Sequence, residues 1–181
     1  VIDHAVIDPK ESIFFLILPR ELTIQKIMTR QHTFTANIEW TGNLGTGTSA
    51  YTEYSRNHTL SAEGKAPLAC SSAPEFRGDA TMYNPEDMLL YSVSSCHMLW
   101  FLHCCADAGV IVTAYTDKPQ GTLVIDTNGI GKFTEITLHP VATFQNPVDE
   151  NQLASLHEKA HKHCFIANSL NCTVQIIGSV K

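Results

Sequence analysis

The first clear pattern along the chain is an alternation. His32, Phe34, Ala36, Ile38 and Trp40 occupy one set of positions, and Thr33, Thr35, Asn37 and Glu39 the other. A period of two is that of a half-buried strand. Gly42, Gly45 and Gly47 mark a turn, and a second strand is expected from Thr48 to about Leu60, completing a hairpin. These glycines make no phosphate loop, because no Lys-Ser or Lys-Thr closes them and no helix follows. Residues 61 to 83 are rich in Gly, Pro, Ser and Ala and read mainly as loop.

The strongest element follows. Asn84 suits an N-cap, Pro85 the first helical position, and Glu86 and Asp87 the positive end of the helix dipole. From Met88 to Ala108 nearly every residue is apolar or small, and Gly109 is placed to end the helix. A helix apolar on every side is expected to be buried. At roughly 1.5 Å per residue it would exceed 30 Å, which suits the spine of a fold or of a dimer.

Strands are expected at about 110 to 116, 121 to 127 and 132 to 144, with a turn at Asn128-Gly129 between the last two. Asp149 can cap a second helix of about 150 to 163 that carries Leu153, Leu156 and Ala160 on one face. A last strand is expected at about 172 to 180. The order ββ-α-βββ-α-β lacks βαβ alternation, so the class is α+β.

The length of 181 residues is enough for one domain with its own core. The first 27 residues are irregular and stand before Met28 as an extension of the domain at 28 to 181. They read as an arm on a partner chain or as an upstream segment that the fold does not need. The net charge of −6 argues against a nucleic-acid or anionic-membrane binder. No stretch is read as the roughly 20 apolar residues that span a bilayer, and no signal peptide is read at the start. A cytoplasmic protein is expected. Six cysteines in a chain of this size then fit reduced thiols better than a disulfide framework.

Taken alone, Cys96 in Ser94-Ser95-Cys96-His97 reads as a small core residue. To be reactive it needs a cation or hydrogen-bond donors, and mid-helix no dipole supplies them. Arg77 and Arg56 are the nearest arginines in sequence. Cys164 ends the second helix, where the partial negative charge disfavours a thiolate. That contrast suits Cys96 as the attacking thiol and Cys164 as the resolving one, through a sulfenic acid and a disulfide. Glu86 reads as a dipole-matched helix start, or as a carboxylate that orients an arginine. Ten residues separate it from Cys96, roughly 15 Å on a straight helix, so an arginine must bridge, the helix must bend, or a second chain must contribute.

His97, His103, His157, His161 and His163 invite a metal reading, since His157 and His161 are four apart on a helix. The stretch His157-Glu158-Lys159-Ala160-His161 is only a permuted echo of a zinc motif, and no metal or cofactor is expected. His97 and His103 are poorly placed as bases for Cys96. Cys104 and Cys105 read as two buried thiols, Cys172 as core, and Cys70 has no evident partner.

Phe76-Arg77-Gly78-Asp79, Tyr83-Asn84-Pro85-Glu86-Asp87, Ser94-Ser95-Cys96-His97-Met98-Leu99 and Ala160-His161-Lys162-His163-Cys164-Phe165-Ile166-Ala167-Asn168-Ser169 together resemble the OsmC/Ohr family of osmotically inducible and organic hydroperoxide resistance proteins. The resemblance runs from about residue 32 to 180. It implies antiparallel strands wrapped around two central helices, in an intertwined homodimer with active sites at the interface. It implies that Cys96 is peroxidatic, Cys164 resolving, and Glu86 paired with an arginine. The implied substrates are organic hydroperoxides, reduced at the expense of a dithiol. The sequence departs from the pattern at the hairpin turn, which has no arginine, and at Glu75, where an arginine often stands. Arg77 is the favoured substitute and Arg56 the second. Phe165 replaces the proline that often follows the resolving cysteine. A non-catalytic thiol-based binding or redox-sensing module on the same fold is the alternative, and a histidine metal site a weaker third.

Overall fold

The computed structural model describes residues 31–181, and the unit considered below is Thr35–Lys181. The expected N-terminal extension, residues 1–27, lies outside the described residues. The chain runs β1 (Asn37–Trp40), β2 (His58–Ser61), β3 (Leu68–Cys70), a 3₁₀ turn (Pro74–Phe76), α1 (Pro85–Asp107), β4 (Val112–Thr116), β5 (Gln120–Ile125), β6 (Gly131–Leu138), β7 (Val141–Phe144), α2 (Glu150–His163), α3 (Phe165–Asn168), β8 (Thr173–Ile176) and β9 (Ser179–Val180). The strands form three sheets, β1-β2-β3, β4-β7-β9 and β5-β6-β8. The class is α+β.

The helix start forms as its sequence dictates. Asn84 Oδ1 accepts from the Asp87 amide at 2.8 Å, and Pro85 stands where no amide partner is needed. Gly109, at φ +69°, takes the left-handed turn that ends the helix. Burial is where the expectation needs correcting. Only the stripe Val93, His97, Phe101, Cys104 and Cys105 is buried, while Tyr91 and Leu99 are 50% and 62% exposed. The helix packs one face on α2, α3 and β4 and leaves the other open in the single chain. By length and composition alone α1 is also long and apolar enough to cross a membrane, contrary to the reading of the sequence. Here it is the core helix, carrying a buried histidine in its packed stripe.

Two expected strands are each broken in two, at matching places. Pro140 has no amide to offer a ladder, and Asp117 Oδ1 takes the His139 amide at 2.7 Å, so the chain turns between β6 and β7. The final strand breaks at Ile177-Gly178, pairing β8 in parallel with β6 and β9 in parallel with β7. The remaining pairings are antiparallel. The N-terminal hairpin is shorter than its alternation suggests. β2 begins at His58 rather than near Thr48, and β3 lies inside the expected loop. All four residues of β1 are exposed, with Ile38 at 70%, so the sheet face read as half-buried has no cover in this chain.

Two buried clusters hold the unit together. Phe101, Cys104, Cys105, Ala142, Leu153, Leu156 and Ala160 join α1, α2 and β7. Val93, Ile136 and Leu138 join α1 to β6, flanked by Ile166, Leu170, Cys172 and Val174. Cys96 lies on α1, and Cys164 at the junction of α2 and α3.

Candidate active site

Helix α1 carries Cys96 four residues before Trp100 and one before the buried His97, so its own side chain is only partly buried. The neighbouring Ser94 hydroxyl donates to Asp117 Oδ2 at 2.5 Å, tying mid-helix to the β4–β5 connection. Shallow clefts border α1 along this stretch. One, about 440 Å³, is lined by Met88, Tyr91, Ser95, Met98 and Tyr115, and another, about 280 Å³, by Leu99, Trp100, His103 and Phe165.

Cys164 is fully buried where α2 ends and α3 begins. Its sulfur lies 4.0 Å from the Val93 carbonyl oxygen, one helical turn before Cys96. Cys96 stands on the next turn of α1 and is near enough to act on the charge of this sulfur. The sequence could not bring these two together, and the crossing of α1 with the α2–α3 corner does. Burial is the main cause that pushes the Cys164 thiol up to about 11, and the neighbouring Cys96 adds to it. The amides of Ile166 and Ala167 act the other way on this sulfur, although neither makes a capping hydrogen bond of full geometry. The sequence reading, which weighed only the C-terminus of α2, missed this one-turn helix.

Among the described residues the carboxylate of Glu86 and the arginines do not pair. Glu86 sits in the first turn of α1 with Oε2 buried and without a hydrogen-bond partner. Among the described residues the ion pair formed is His103–Asp107, so neither Arg77 nor Arg56 bridges to Glu86 here. Arg56 is occupied elsewhere. Its guanidinium stacks on Tyr51 and Tyr54, 4.2 and 4.1 Å from the ring centroids, and donates to their carbonyl oxygens at 2.8 and 2.6 Å. Arg77 is held less firmly, 5.9 Å from the Tyr51 ring centre, and ends the 3₁₀ turn in left-handed backbone at φ +66°.

The histidines disperse to separate partners. His97 Nε2 and His157 Nδ1 hydrogen-bond at 3.0 Å in the core, and His157 stacks on Phe101 at 4.2 Å between centroids. His163 Nδ1 bonds to the Lys159 carbonyl oxygen, and His103 faces Asp107. Among the described residues no group of three or more His, Cys, Asp or Glu is arranged to hold a metal. A cleft of about 790 Å³ beside α2 includes His157, His161 and Gly178 but neither Cys96 nor Cys164. All six cysteines are free.

The family model described as OsmC-like protein matches residues 78–177, a span that contains Glu86, Cys96 and Cys164 but neither arginine. An OsmC-like protein of unknown function from Vibrio cholerae is 28% identical, with a TM-score of 0.74, over 82% of this chain and 99% of that one. An organic hydroperoxide resistance protein OsmC from Legionella pneumophila is 18% identical, with a TM-score of 0.63, over 84% and 99%. An organic hydroperoxide resistance protein from Elizabethkingia anophelis, with bound thiocyanate, is 18% identical with a TM-score of 0.61 over the same shares. No curated protein matches the sequence. With more than half its length matched by the family model and its fold shared along almost the whole of these structures, the chain belongs to the OsmC-like protein family.

Proposed function

We propose that the protein is a thiol-dependent peroxidase that reduces organic hydroperoxides with Cys96 and Cys164. The observation that supports this is the packing of the fully buried Cys164 sulfur against the Val93 carbonyl oxygen, one helical turn before the partly exposed Cys96. The Cys96 thiolate attacks the terminal oxygen of the hydroperoxide, the O–O bond breaks, and the alcohol leaves. The sulfenic acid on Cys96 then condenses with Cys164, releasing water and forming a disulfide. An external dithiol returns both sulfurs to the reduced state by exchange. The clefts bordering α1 on either side of Cys96 in sequence, lined by Met98 in one and Leu99 and Trp100 in the other, are largely apolar and suit an organic substituent, although Cys96 itself lines neither.

In this reading the working form is a homodimer in a reducing compartment. The open face of α1 and the uncovered β1 support a second copy, as does the unpartnered Glu86 carboxylate. A partner's arginine would both activate the thiolate and satisfy Glu86. That no arginine among the described residues forms an ion pair with Glu86 favours a second reading, a redox-sensing module with little turnover. Single-turnover oxidation of the fully reduced protein by an alkyl hydroperoxide, with mass mapping of disulfides, separates the two. Rapid formation of one Cys96–Cys164 bond is expected. Peroxide consumption at the wild-type rate by the Cys96→Ser protein would refute the peroxidase reading.

A further inference from the structure

Breaks in the strands line up across the sheets. Asp117-Lys118-Pro119 separates β4 from β5, His139-Pro140 separates β6 from β7, and Ile177-Gly178 separates β8 from β9. Backbone bonds join the last two breaks, from the Ile177 amide to the Leu138 carbonyl oxygen and from the Ser179 amide to the Pro140 carbonyl oxygen, each 2.9 Å. Asp117 Oδ1 joins the first to the second by accepting the His139 amide at 2.7 Å. The breaks thus form one crease. The other oxygen of the same half-buried carboxylate, Oδ2, accepts the Ser94 hydroxyl of α1 at 2.5 Å. One oxygen of Asp117 therefore serves the crease and the other the helix that carries Cys96. A hydroxyl-to-carboxylate bond of this length is among the strong ones.

We infer that Asp117 is a positioning residue for the second step of the cycle: through Ser94 it fixes the roll of α1 about its axis, and so holds Cys96 in register with Cys164 for the disulfide to form. The inference rests on the peroxidase reading. The step is the condensation given above, in which Cys164 S–H and Cys96 S–OH join as S–S and release water. Asp117 supplies geometry and touches neither sulfur.

The place of Ser94 on α1 gives the reason. Its amide nitrogen is bonded to the Val93 carbonyl carbon, and the oxygen of that carbonyl is the atom that Cys164 packs against at 4.0 Å. Cys96 follows Ser94 by two residues, about 200° further round the helix, so the tie to Asp117 and the Cys96 sulfur lie on opposite sides of the axis. The hydroxyl bond resists rolling of α1. A sulfur about 5 Å from the axis moves about 1 Å for every 10° of roll. A disulfide accepts Cβ atoms only about 3.5–4.5 Å apart. A misplacement of about 1 Å costs on the order of 100-fold in rate. The first step lacks this demand, because a diffusing hydroperoxide follows Cys96 through a few degrees of roll, whereas Cys164 is fixed in the core.

The test follows both steps in reduced wild-type, Ser94→Ala, Asp117→Ala and Asp117→Asn proteins. Each is mixed with an equimolar amount of tert-butyl hydroperoxide and quenched at intervals in acid, and mass spectrometry counts Cys96 sulfenic acid and Cys96–Cys164 disulfide. Ser94→Ala removes the tie and leaves the Asp117 bond to His139, so it separates the roll of α1 from any loosening of the crease. Asp117→Asn can keep both contacts, its oxygen to the His139 amide and its NH2 to the Ser94 oxygen. Condensation should slow about tenfold or more in Ser94→Ala and Asp117→Ala, while sulfenic acid forms within about threefold of the wild-type rate and accumulates. Asp117→Asn should condense within about threefold of wild type. Wild-type condensation in Ser94→Ala, equal slowing of both steps, or failure of Asp117→Asn to rescue overturns the positioning role. If the wild-type protein itself forms neither product, it is the peroxidase reading that fails.

Discussion

His97 on α1 and His157 on α2 hydrogen-bond at 3.0 Å with both rings buried, so the two central helices are joined by a polar contact inside an apolar core. Desolvation is the largest cause holding both imidazoles down at about 4, with His157 and His161 adding repulsion at His97 and Asp117 opposing the shift at His157. The contact needs one donor and one acceptor nitrogen, so it is lost when both rings are protonated and two N–H groups face each other.

Acid should weaken the fold through this pair. Both folded-state values lie below the unfolded value of about 6.5, so the unfolded chain binds more protons as pH falls. Stability is full above pH ~6.5, declines as pH falls toward ~4, and levels off below that, for a loss of about 3 kcal/mol per independent group. Urea unfolding from pH 8 to 4 checks this. A His97→Leu/His157→Leu protein should lose most of the pH dependence. His157→Leu alone, which strands His97 Nε2 in the core, should cost about 2 kcal/mol at pH 8.

Gly178 lies directly against the His157 ring, where an added Cβ would overlap Nε2 and Cδ2. Gly178→Ala must displace the ring and with it the His97 contact. A stability loss of about 2 kcal/mol or more is expected, with the His97–His157 imidazole signals shifted in the NMR spectrum.

Arg77 offers a separation of stability from activity. It sits at φ +66°, where glycine is relaxed and a side chain is strained by about 1–2 kcal/mol. Arg77→Gly should leave the melting midpoint unchanged within the equivalent of about 1 kcal/mol, because relief of strain and the added freedom of the unfolded chain oppose each other. If Arg77 is the arginine that serves Cys96, the same variant oxidises Cys96 at least tenfold more slowly. Arg56→Ala, which removes a guanidinium stacked on two tyrosines, should cost stability first.

Thiol alkylation should rank the cysteines. Burial and, for Cys105, its neighbour Cys104 push Cys105 up to about 11, as burial does chiefly for Cys164. At pH 8 roughly one thiol in a thousand is ionised at such sites. Iodoacetamide followed by peptide mapping should leave Cys164 and Cys105 unmodified in the native protein while the partly exposed Cys96 and Cys172 react.

Self-association should depend on the open face of α1. Leu99 is 62% exposed there, and Leu99→Glu should lower the apparent mass in sedimentation if a second copy covers it. An unchanged mass would place the interface elsewhere.

What the sequence by itself determined is local. Asn84-Pro85 and Gly109 bound α1, and Asp149 bounds α2 through its bond to the Gln152 amide, because caps are made by residues three or four positions apart. The family motif around Glu86, Cys96 and Cys164 was legible for the same reason, as short strings of residue types. Tertiary structure decided the rest. The expected strand at 132 to 144 breaks at Pro140 because Asp117, remote in sequence, takes the His139 amide. The meeting of Cys96 with Cys164 and of His97 with His157 depends on how α1 crosses α2, which sequence spacing does not encode. The burial of α1 was misjudged because an apolar helix looks alike whether its second face meets its own chain or lies open. The placement of Arg56 was equally hidden, since the tyrosines that hold it compete with any carboxylate, and only the folded loop shows which partner wins.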